Sequence, residues 1–330
     1  MIELLTPFAG ECITLLCPEH LQYIRSPMNT PADNVNWLRL KEINPKRSRP
    51  QPVTLTYAPA VDGEVLLRHP NGCVTHHPAV AGKATLTNLL IGATYAWQIS
   101  ATGERSETRT FQTAATPPRL LLVDGISNVR DFGGYTTKDG RRVRQGLLYR
   151  TSEMDTHVEI TEAGKEALYA LGIRTDLDIR GCNDEHRAPA LDTDKVEWIN
   201  IPLVAYEKIF EDDRHIAAYG KAYALLAEAD RYPMIVHCWG GIDRTGCWLF
   251  ILGGMLGVEP EQLYLDYEFS SFSRWGKRSR YSEQFSAFSE RLMAYGSNVE
   301  QACRSFMLAA GVSEAQMARI KDMLLEDCEA

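Results

Sequence analysis

The chain predicts an α/β fold, a largely parallel sheet flanked by helices, preceded by an all-β sandwich. Three observations predict it. Residues 51–113 break into short alternating apolar runs separated by turn residues. Beyond Pro117-Pro118, strand-like runs alternate with helix-like ones. Around Cys238, a buried strand, a glycine-containing loop and a strongly apolar helix follow one another directly.

The first domain is expected over residues 1–116. Its candidate strands are Cys12 to Leu16, Pro52 to Tyr57, Glu64 to Arg68, Lys83 to Leu89, Thr94 to Ala101 and Thr108 to Thr113. Asp62-Gly63 and Asn71-Gly72 supply turns. Residues 19–50 do not fit a minimal sandwich and read as an insertion. Leu89, Gly92 and Tyr95 resemble the tyrosine corner of a fibronectin type III-like sandwich.

The second domain is expected over residues 119–330. Leu120 to Val123, Gly146 to Tyr149, Ile173 to Ile179, Trp198 to Pro202 and Met234 to Val236 read as strands. Glu159 to Ala170, with a cap at Thr161, and Ala217 to Ala229 read as helices. Cys247 to Leu256 is the apolar helix, beginning near Thr245, and further helices run to the end of the chain. In open sheets of this kind ligands bind beyond the carboxyl ends of the strands, where the Cys238 loop falls.

Composition sets the bounds. With 330 residues and 45% hydrophobic content, two domains can each bury a core. A net charge of −8 argues against nucleic acid or an anionic membrane as partner. No apolar stretch is long enough for a transmembrane helix, and the amino terminus lacks the pattern of a signal peptide. The eight cysteines show no zinc spacing, and no metal or cofactor is expected. Cys12 and Cys17 are a candidate pair in an oxidising compartment. A nucleophilic cysteine has to stay reduced, so a cytoplasmic location is expected, or a secreted or periplasmic one if a leader was removed. The oligomeric state is not legible.

The segment from His237 to Gly246, His-Cys-Trp-Gly-Gly-Ile-Asp-Arg-Thr-Gly, carries the chemistry. A strand, tight loop and helix start aim backbone N–H groups at one point, and the helix dipole adds about half a positive charge there. Cys238 at the mouth is a nucleophile in a setting that favours negative charge, and Arg244 offers a planar fork to a phosphoryl group. Gly240, Gly241 and Gly246 let amides approach an oxyanion closely. His237 can brace the loop, and Thr245 can donate to the sulfur.

This His-Cys-x5-Arg-Thr-Gly pattern resembles the signature of the protein tyrosine phosphatase superfamily. Asn128-Val129-Arg130-Asp131-Phe132-Gly133-Gly134, Leu148-Tyr149-Arg150-Thr151-Ser152, Thr175-Asp176-Leu177-Asp178-Ile179-Arg180, and Leu265-Asp266-Tyr267 with Ser270 narrow the resemblance. They are similar to segments of the bacterial tyrosine phosphatase family, which contains dual-specificity and phosphoinositide-cleaving members. The resemblance implies a cysteine-dependent phosphatase with a thiophosphoryl-enzyme intermediate, acting on a phosphorylated protein, peptide or small molecule. It places the general acid at Asp243, with Asp131 and Asp178 as alternatives. Many relatives carry lysine where this chain has Ile242, so a preference for polyphosphoinositides loses a cation.

Several readings stay open. Trp239 is either an aromatic rim for a phosphotyrosine ring or an interior side chain. Arg130, Asp131, Arg150 and Arg180 read as a buried ion-pair scaffold. Arg274, Lys277, Arg278 and Arg280 are either a solvated loop or extra cations for a substrate. His157, His186 and His215 read as surface residues. A protein tyrosine or dual-specificity phosphatase is the leading function. An inositol phosphate phosphatase and a non-catalytic phosphate-binding or adhesion protein are the alternatives.

Overall fold

The computed structural model describes residues 2–25, 48–181, 188–275 and 278–328. The chain divides into two compact units, one of Met1–Gln22 and Pro50–Leu122, the other of Tyr23–Arg49 and Val123–Ala330.

The first unit has two sheets. One joins Glu3–Thr6, Val53–Ala58 and Lys83–Leu86. The other runs Glu11–Ile13, Arg109–Thr113, Thr94–Ala101, Gly63–Arg68, Val74–Ala79, with Glu104–Arg105 paired to Thr94–Ala101. Alternation decides which face is buried: Tyr95, Trp97, Ile99 and Ala101 point inward from one strand, Val65 and Leu67 from its neighbour. They meet Leu55, Tyr57 and Phe111 in a single core. Each fully buried aliphatic side chain there stabilises by roughly 1.5–3 kcal/mol. The Tyr95 hydroxyl accepts from the Leu90 N–H at 2.8 Å, a bond back to the chain upstream.

The sequence expectation lacked the strand Val74–Ala79 of the larger sheet. Val74–Ala79 is Val-Thr-His-His-Pro-Ala, too polar to read as a core strand. It lies at the end of its sheet, where a proline costs no ladder bond. The insertion expected for the first domain also behaves differently at its ends. The Tyr23 hydroxyl donates to Glu268 at 2.6 Å, and Ser48 accepts from the Asn128 N–H at 3.2 Å, so both belong with the second unit. Positions 26–47 lie outside the described residues, as do His186 and Lys277.

In the second unit the strands line up as Arg130–Asp131, Leu148–Thr151, Met234–His237, Thr175–Asp178 and Glu197–Asn200. The last four are mutually parallel and the first is antiparallel to its neighbour. Thr151 and Asp178 both stand opposite His237, so three strands end at one level and Cys238 follows immediately. The helix Asp243–Leu256 packs on this sheet and is buried at every position from Thr245 to Leu256, as expected for a helix apolar all round. Gly257 ends it with φ +88°. Trp248 stacks on Tyr223, and Phe250 packs edge-on to Phe285 and Phe288 from the Glu283–Met293 helix. A short strand, Leu325–Asp327, closes the unit by pairing with Arg141–Val143.

Candidate active site

The loop after Met234–His237 is shaped from its outer side. Trp239 O accepts from the Glu153 N–H at 2.7 Å. Gly240 O and Gly241 O each accept from Asn128 Nδ2 at 3.0 Å, and Gly241 O also accepts from Arg150 Nη2. In a trans peptide the C=O and the following N–H point opposite ways. Three tethered carbonyls therefore turn the amides of Gly240, Gly241 and Ile242 to the other face. The first helical bond is Gly246 N–H to Ile242 O at 2.7 Å, so the amides of Asp243, Arg244 and Thr245 lie in the helix's open first turn. The helix begins at Asp243, two residues before the sequence expectation, which brings Asp243 into the positive end of the dipole.

Glycine is obligatory at one place. Gly241 has φ +63°, and a Cβ there would lie 1.9 Å from Thr151 O. At Gly240 a Cβ would meet Trp275 Cδ1 at 2.7 Å. Gly246 packs its bare face on Tyr267.

Behind the loop stands a buried charge network. Asp266 Oδ1 takes Arg130 Nε at 2.8 Å, and Oδ2 takes Arg150 Nη1. Arg130 also donates to Asn128 Oδ1, which holds the asparagine that holds the loop. Burial pushes the Asp266 carboxyl up, but Arg130 and Arg150 outweigh it and leave it below its ordinary value. Burial, with Arg130 close by, pulls Arg150 down to about 10. On the other side Arg180 is held by Asp178, Asp155 and, at 3.3 Å, Glu153. Arg130, Arg150 and Arg180 are thus ion-paired and buried. Asp131 braces a turn, its two oxygens accepting from Gly133 N–H and Gly146 N–H at 2.7 and 2.6 Å.

His237 is buried, with Nδ1 3.2 Å from Cys238 O and Nε2 3.1 Å from Asp176. Burial pulls its imidazole down, but Asp176, aided by Asp178, wins and pushes it up to about 9. Cys238 is only 3% exposed. Thr245 Oγ1 is buried and has no hydrogen-bond partner among the described residues. Ile242 is buried, with its side chain over Gly240, so this position belongs to the loop's packing.

Asp243 is about one third exposed and gripped from two sides. Arg278 Nε lies 2.6 Å from Oδ1 and Nη2 2.9 Å from Oδ2, while the Tyr206 hydroxyl donates to Oδ1. Burial pushes this carboxyl up; Arg278 first, then Tyr206 and Arg244, outweigh it and hold it below its ordinary value. These contacts stabilise the carboxylate form of Asp243. Tyr206 holds φ +60°, a strained setting for a bulky residue. Arg280 pairs with Glu268 and Glu261. Arg278 and Arg280 are therefore engaged with carboxylates and are not spare cations.

Trp239 is 40% exposed, at the surface rather than in the interior. His157, expected as an unremarked surface residue, presents its ring edge to Trp239 at 4.4 Å between centroids. Glu153 fixes it through both its N–H and Nδ1. Trp275 lies 6.2 Å from the same imidazole. His215 bonds Lys208 O. Cys12 and Cys17 are free. Among the described residues no three His, Cys, Asp or Glu side chains are grouped to hold a metal ion, and no helix is long and apolar enough to cross a membrane.

Sequence reasoning assigned no role to Asn128, Glu153, Tyr206 or Asp266. Asn128 and Asp266 sat inside quoted motifs, which was the available signal. Tyr206 and Glu153 carried none.

Comparison with known proteins gives a consistent family. The model of the tyrosine phosphatase family matches residues 121–326. A protein of Cupriavidus necator bearing the name tyrosine-protein phosphatase is 27% identical over 170 residues, covering 44% of this chain and 61% of that protein. The tyrosine-protein phosphatase of Nostoc commune is 26% identical over 132 residues, covering 34% and 45% respectively. The chain thus spans less than two thirds of the length of either curated relative. Among solved structures, P. aeruginosa TpbA aligns with a TM-score of 0.35 and 18% identity, over 52% of this chain and 91% of that one. The core catalytic domain of the PP-IP phosphatase SIW14 from S. cerevisiae aligns at 0.32 and 14%, over 46% and 90%.

Proposed function

The chain belongs to the tyrosine phosphatase family, and we propose that it is a cysteine-dependent phosphatase of protein phosphotyrosine, with dual specificity within reach of the same site. The observation that carries this reading is the outward tethering of three loop carbonyls by Glu153, Asn128 and Arg150, which commits the opposing amides to an oxyanion. Cys238 Sγ attacks phosphorus in line as the P–O bond to the leaving group breaks, giving a thiophosphoryl enzyme. Loop amides and Arg244 hold the equatorial oxygens as charge spreads over them. Water then attacks phosphorus, the P–S bond breaks, and sulfur departs with the electron pair. Thr245, buried and without a hydrogen-bond partner among the described residues, is available to donate to that sulfur. Asp243 is the proton-transfer residue of the loop. His237, Arg130, Arg150, Asp131, Asp178 and Arg180 support the architecture.

Substrate choice rests on the rim. Trp239, His157 and Trp275 offer aromatic surface suited to a phosphotyrosine ring. Ile242 brings no charge, and Arg278 and Arg280 are engaged with carboxylates, which weighs against inositol polyphosphates. The first unit reads as a fibronectin type III-like sandwich. A reducing compartment such as the cytoplasm suits the thiol.

The test is metal-free turnover of p-nitrophenyl phosphate by wild type and Cys238→Ser, followed by ranking of phosphotyrosine peptides against inositol phosphates. The serine variant is expected to lose at least about a thousandfold in kcat. Full activity in that variant defeats the nucleophile assignment. An inositol phosphate at the head of the ranking replaces the substrate assignment.

A further inference from the structure

Residues far ahead of the matched domain are built into the unit that carries the phosphate loop. The family model begins at residue 121, yet Tyr23–Arg49 group with Val123–Ala330. Near one end of that segment Tyr23 is buried, its ring edge-on to Phe269 and Phe272 at 5.8 Å and its hydroxyl donating to Glu268 at 2.6 Å. Glu268 lies on the helix Pro260–Phe269, which also supplies Asp266 to Arg130 and Arg150. Near the other end Ser48 is buried, and its Oγ accepts the Asn128 N–H at 3.2 Å.

Asn128 is the residue on which the loop hangs. Its Nδ2 holds Gly240 O and Gly241 O, and it does so from φ +61°, in the left-handed region. Asparagine enters that region more readily than most residues, but still at a cost, so the backbone there needs holding. Two adjacent N–H groups do the holding. Ser127 N–H ends on Ser152 Oγ and Asn128 N–H on Ser48 Oγ, both at 3.2 Å. Ser152 lies within the matched domain and Ser48 outside it. A buried N–H that loses its acceptor is costly. Rotation of the Asn128 backbone to relieve that cost would swing Nδ2 off the two carbonyls.

We infer that Ser48 is a positioning residue for the phosphate loop, acting through Asn128, and that Tyr23 anchors the same segment to the helix behind the loop. This rests on the Cys238 reading and extends its machinery to chain that precedes the phosphatase domain. Ser48 touches neither substrate nor sulfur. Through Asn128 it fixes the direction of the Gly241 and Ile242 amides, which matters most when charge spreads over the phosphoryl oxygens. Its loss therefore falls on kcat rather than on KM.

Ser48→Ala and Ser48→Thr in the full chain test this, each alone and combined with Asn128→Ala, on p-nitrophenyl phosphate and with orthovanadate as inhibitor. Losing a loop donor outright costs about a hundredfold or more. Misaiming donors at one remove should therefore cost Ser48→Ala about tenfold in kcat, with KM within about twofold. Orthovanadate, which mimics the five-coordinate transition state, should bind more weakly by the same factor. Ser48→Thr keeps the acceptor and should keep most of the rate. On Asn128→Ala, where no side-chain amide is left to aim, Ser48→Ala should change kcat by less than about twofold. A residue that merely fills space would lose its full factor again on that background. Such additivity overturns the inference, and so does wild-type kcat in Ser48→Ala. Should Ser48→Ala not fold, Tyr23→Phe carries the test, since it keeps the ring and removes only the hydroxyl. Its kcat should fall about two- to fivefold, and the fall should vanish on Asn128→Ala; an unmoved kcat overturns the inference. Full activity in Cys238→Ser overturns the nucleophile reading, and this inference with it. Loss there with an unmoved Ser48→Ala overturns the positioning role alone.

Discussion

Replacing Asp266 with asparagine takes the charge from the carboxylate that Arg130 and Arg150 share while preserving its shape. All three side chains are buried, with Asp266 only 4% exposed. Removing one member of a buried charge group costs about 3–5 kcal/mol, because the remaining charge loses compensation without regaining water. Arg150 is already pulled to about 10 by burial and by Arg130; without Asp266 it faces that repulsion uncompensated. For a unit of this size 1 kcal/mol moves the melting temperature about 2–4 °C, so a fall of about 6–20 °C is expected. The sign with pH is fixed. The folded carboxyl lies below its ordinary value, so its contribution is present above pH ~4 and is lost only as pH falls through the folded value. Thermal unfolding at pH 7, followed through tryptophan fluorescence, is therefore the assay. Arg150 also donates to Gly241 O, so kcat/KM should fall in the fraction that stays folded. Asp243→Asn is the control: it breaks a pair that is one third exposed, and should cost at most about 1 kcal/mol. If Asp266→Asn melts within 2 °C of wild type (about 0.5–1 kcal/mol), the buried network does not carry this energy and the reasoning fails.

Three further outcomes are expected. Gly241→Ala, whose Cβ would stand 1.9 Å from Thr151 O, should lower kcat/KM at least about a hundredfold by moving the loop, while circular dichroism still reports the native fold. His237 is pushed up to about 9, so the stability it contributes is complete below pH ~6.5 and drains as pH rises through about 9, by about 3 kcal/mol in all; melting curves from pH 6 to 10 should show this in wild type and not in His237→Gln. Trp239→Ala should raise KM for phosphotyrosine peptides about two- to tenfold, the worth of one aromatic contact, and leave hydrolysis of a small alkyl phosphate unmoved.

What the sequence made legible follows a physical rule. Strands with a strict two-residue alternation were readable, and Thr94–Ala101 was expected at its observed bounds. Val74–Ala79 was not, because an edge strand tolerates the histidines and proline that erase the pattern. In the site, the residues that turn the chain and those proposed to carry the reacting atoms lie together between His237 and Gly246, so their spacing is visible. The groups that hold them are recruited from elsewhere. Glu153 acts through its backbone N–H on Trp239 O, for which no side-chain type is needed. Tyr206 reaches Asp243 only because its backbone takes a rare conformation, and nothing in the neighbouring residues announces that.

The electrostatics of the site then separate into two layers with different tasks. The outer layer, Arg130, Asp266 and Arg150, is buried, and it fixes geometry by pulling loop carbonyls outward. The inner layer, Asp243 with Arg278, is partly open to water and holds the carboxylate beside the loop in its charged form. Ile242 belongs to neither, because its side chain lies within the packing of the loop. A charge at that position would have to leave the packing to act. The cation nearest in role is Arg278, and it already neutralises a carboxylate. A second phosphate on the substrate would have to draw Arg278 away from Asp243, losing a two-pronged, charge-assisted contact. A polyphosphorylated ligand and the grip on Asp243 would therefore compete for one guanidinium, whereas a substrate with a single phosphate would leave that grip intact.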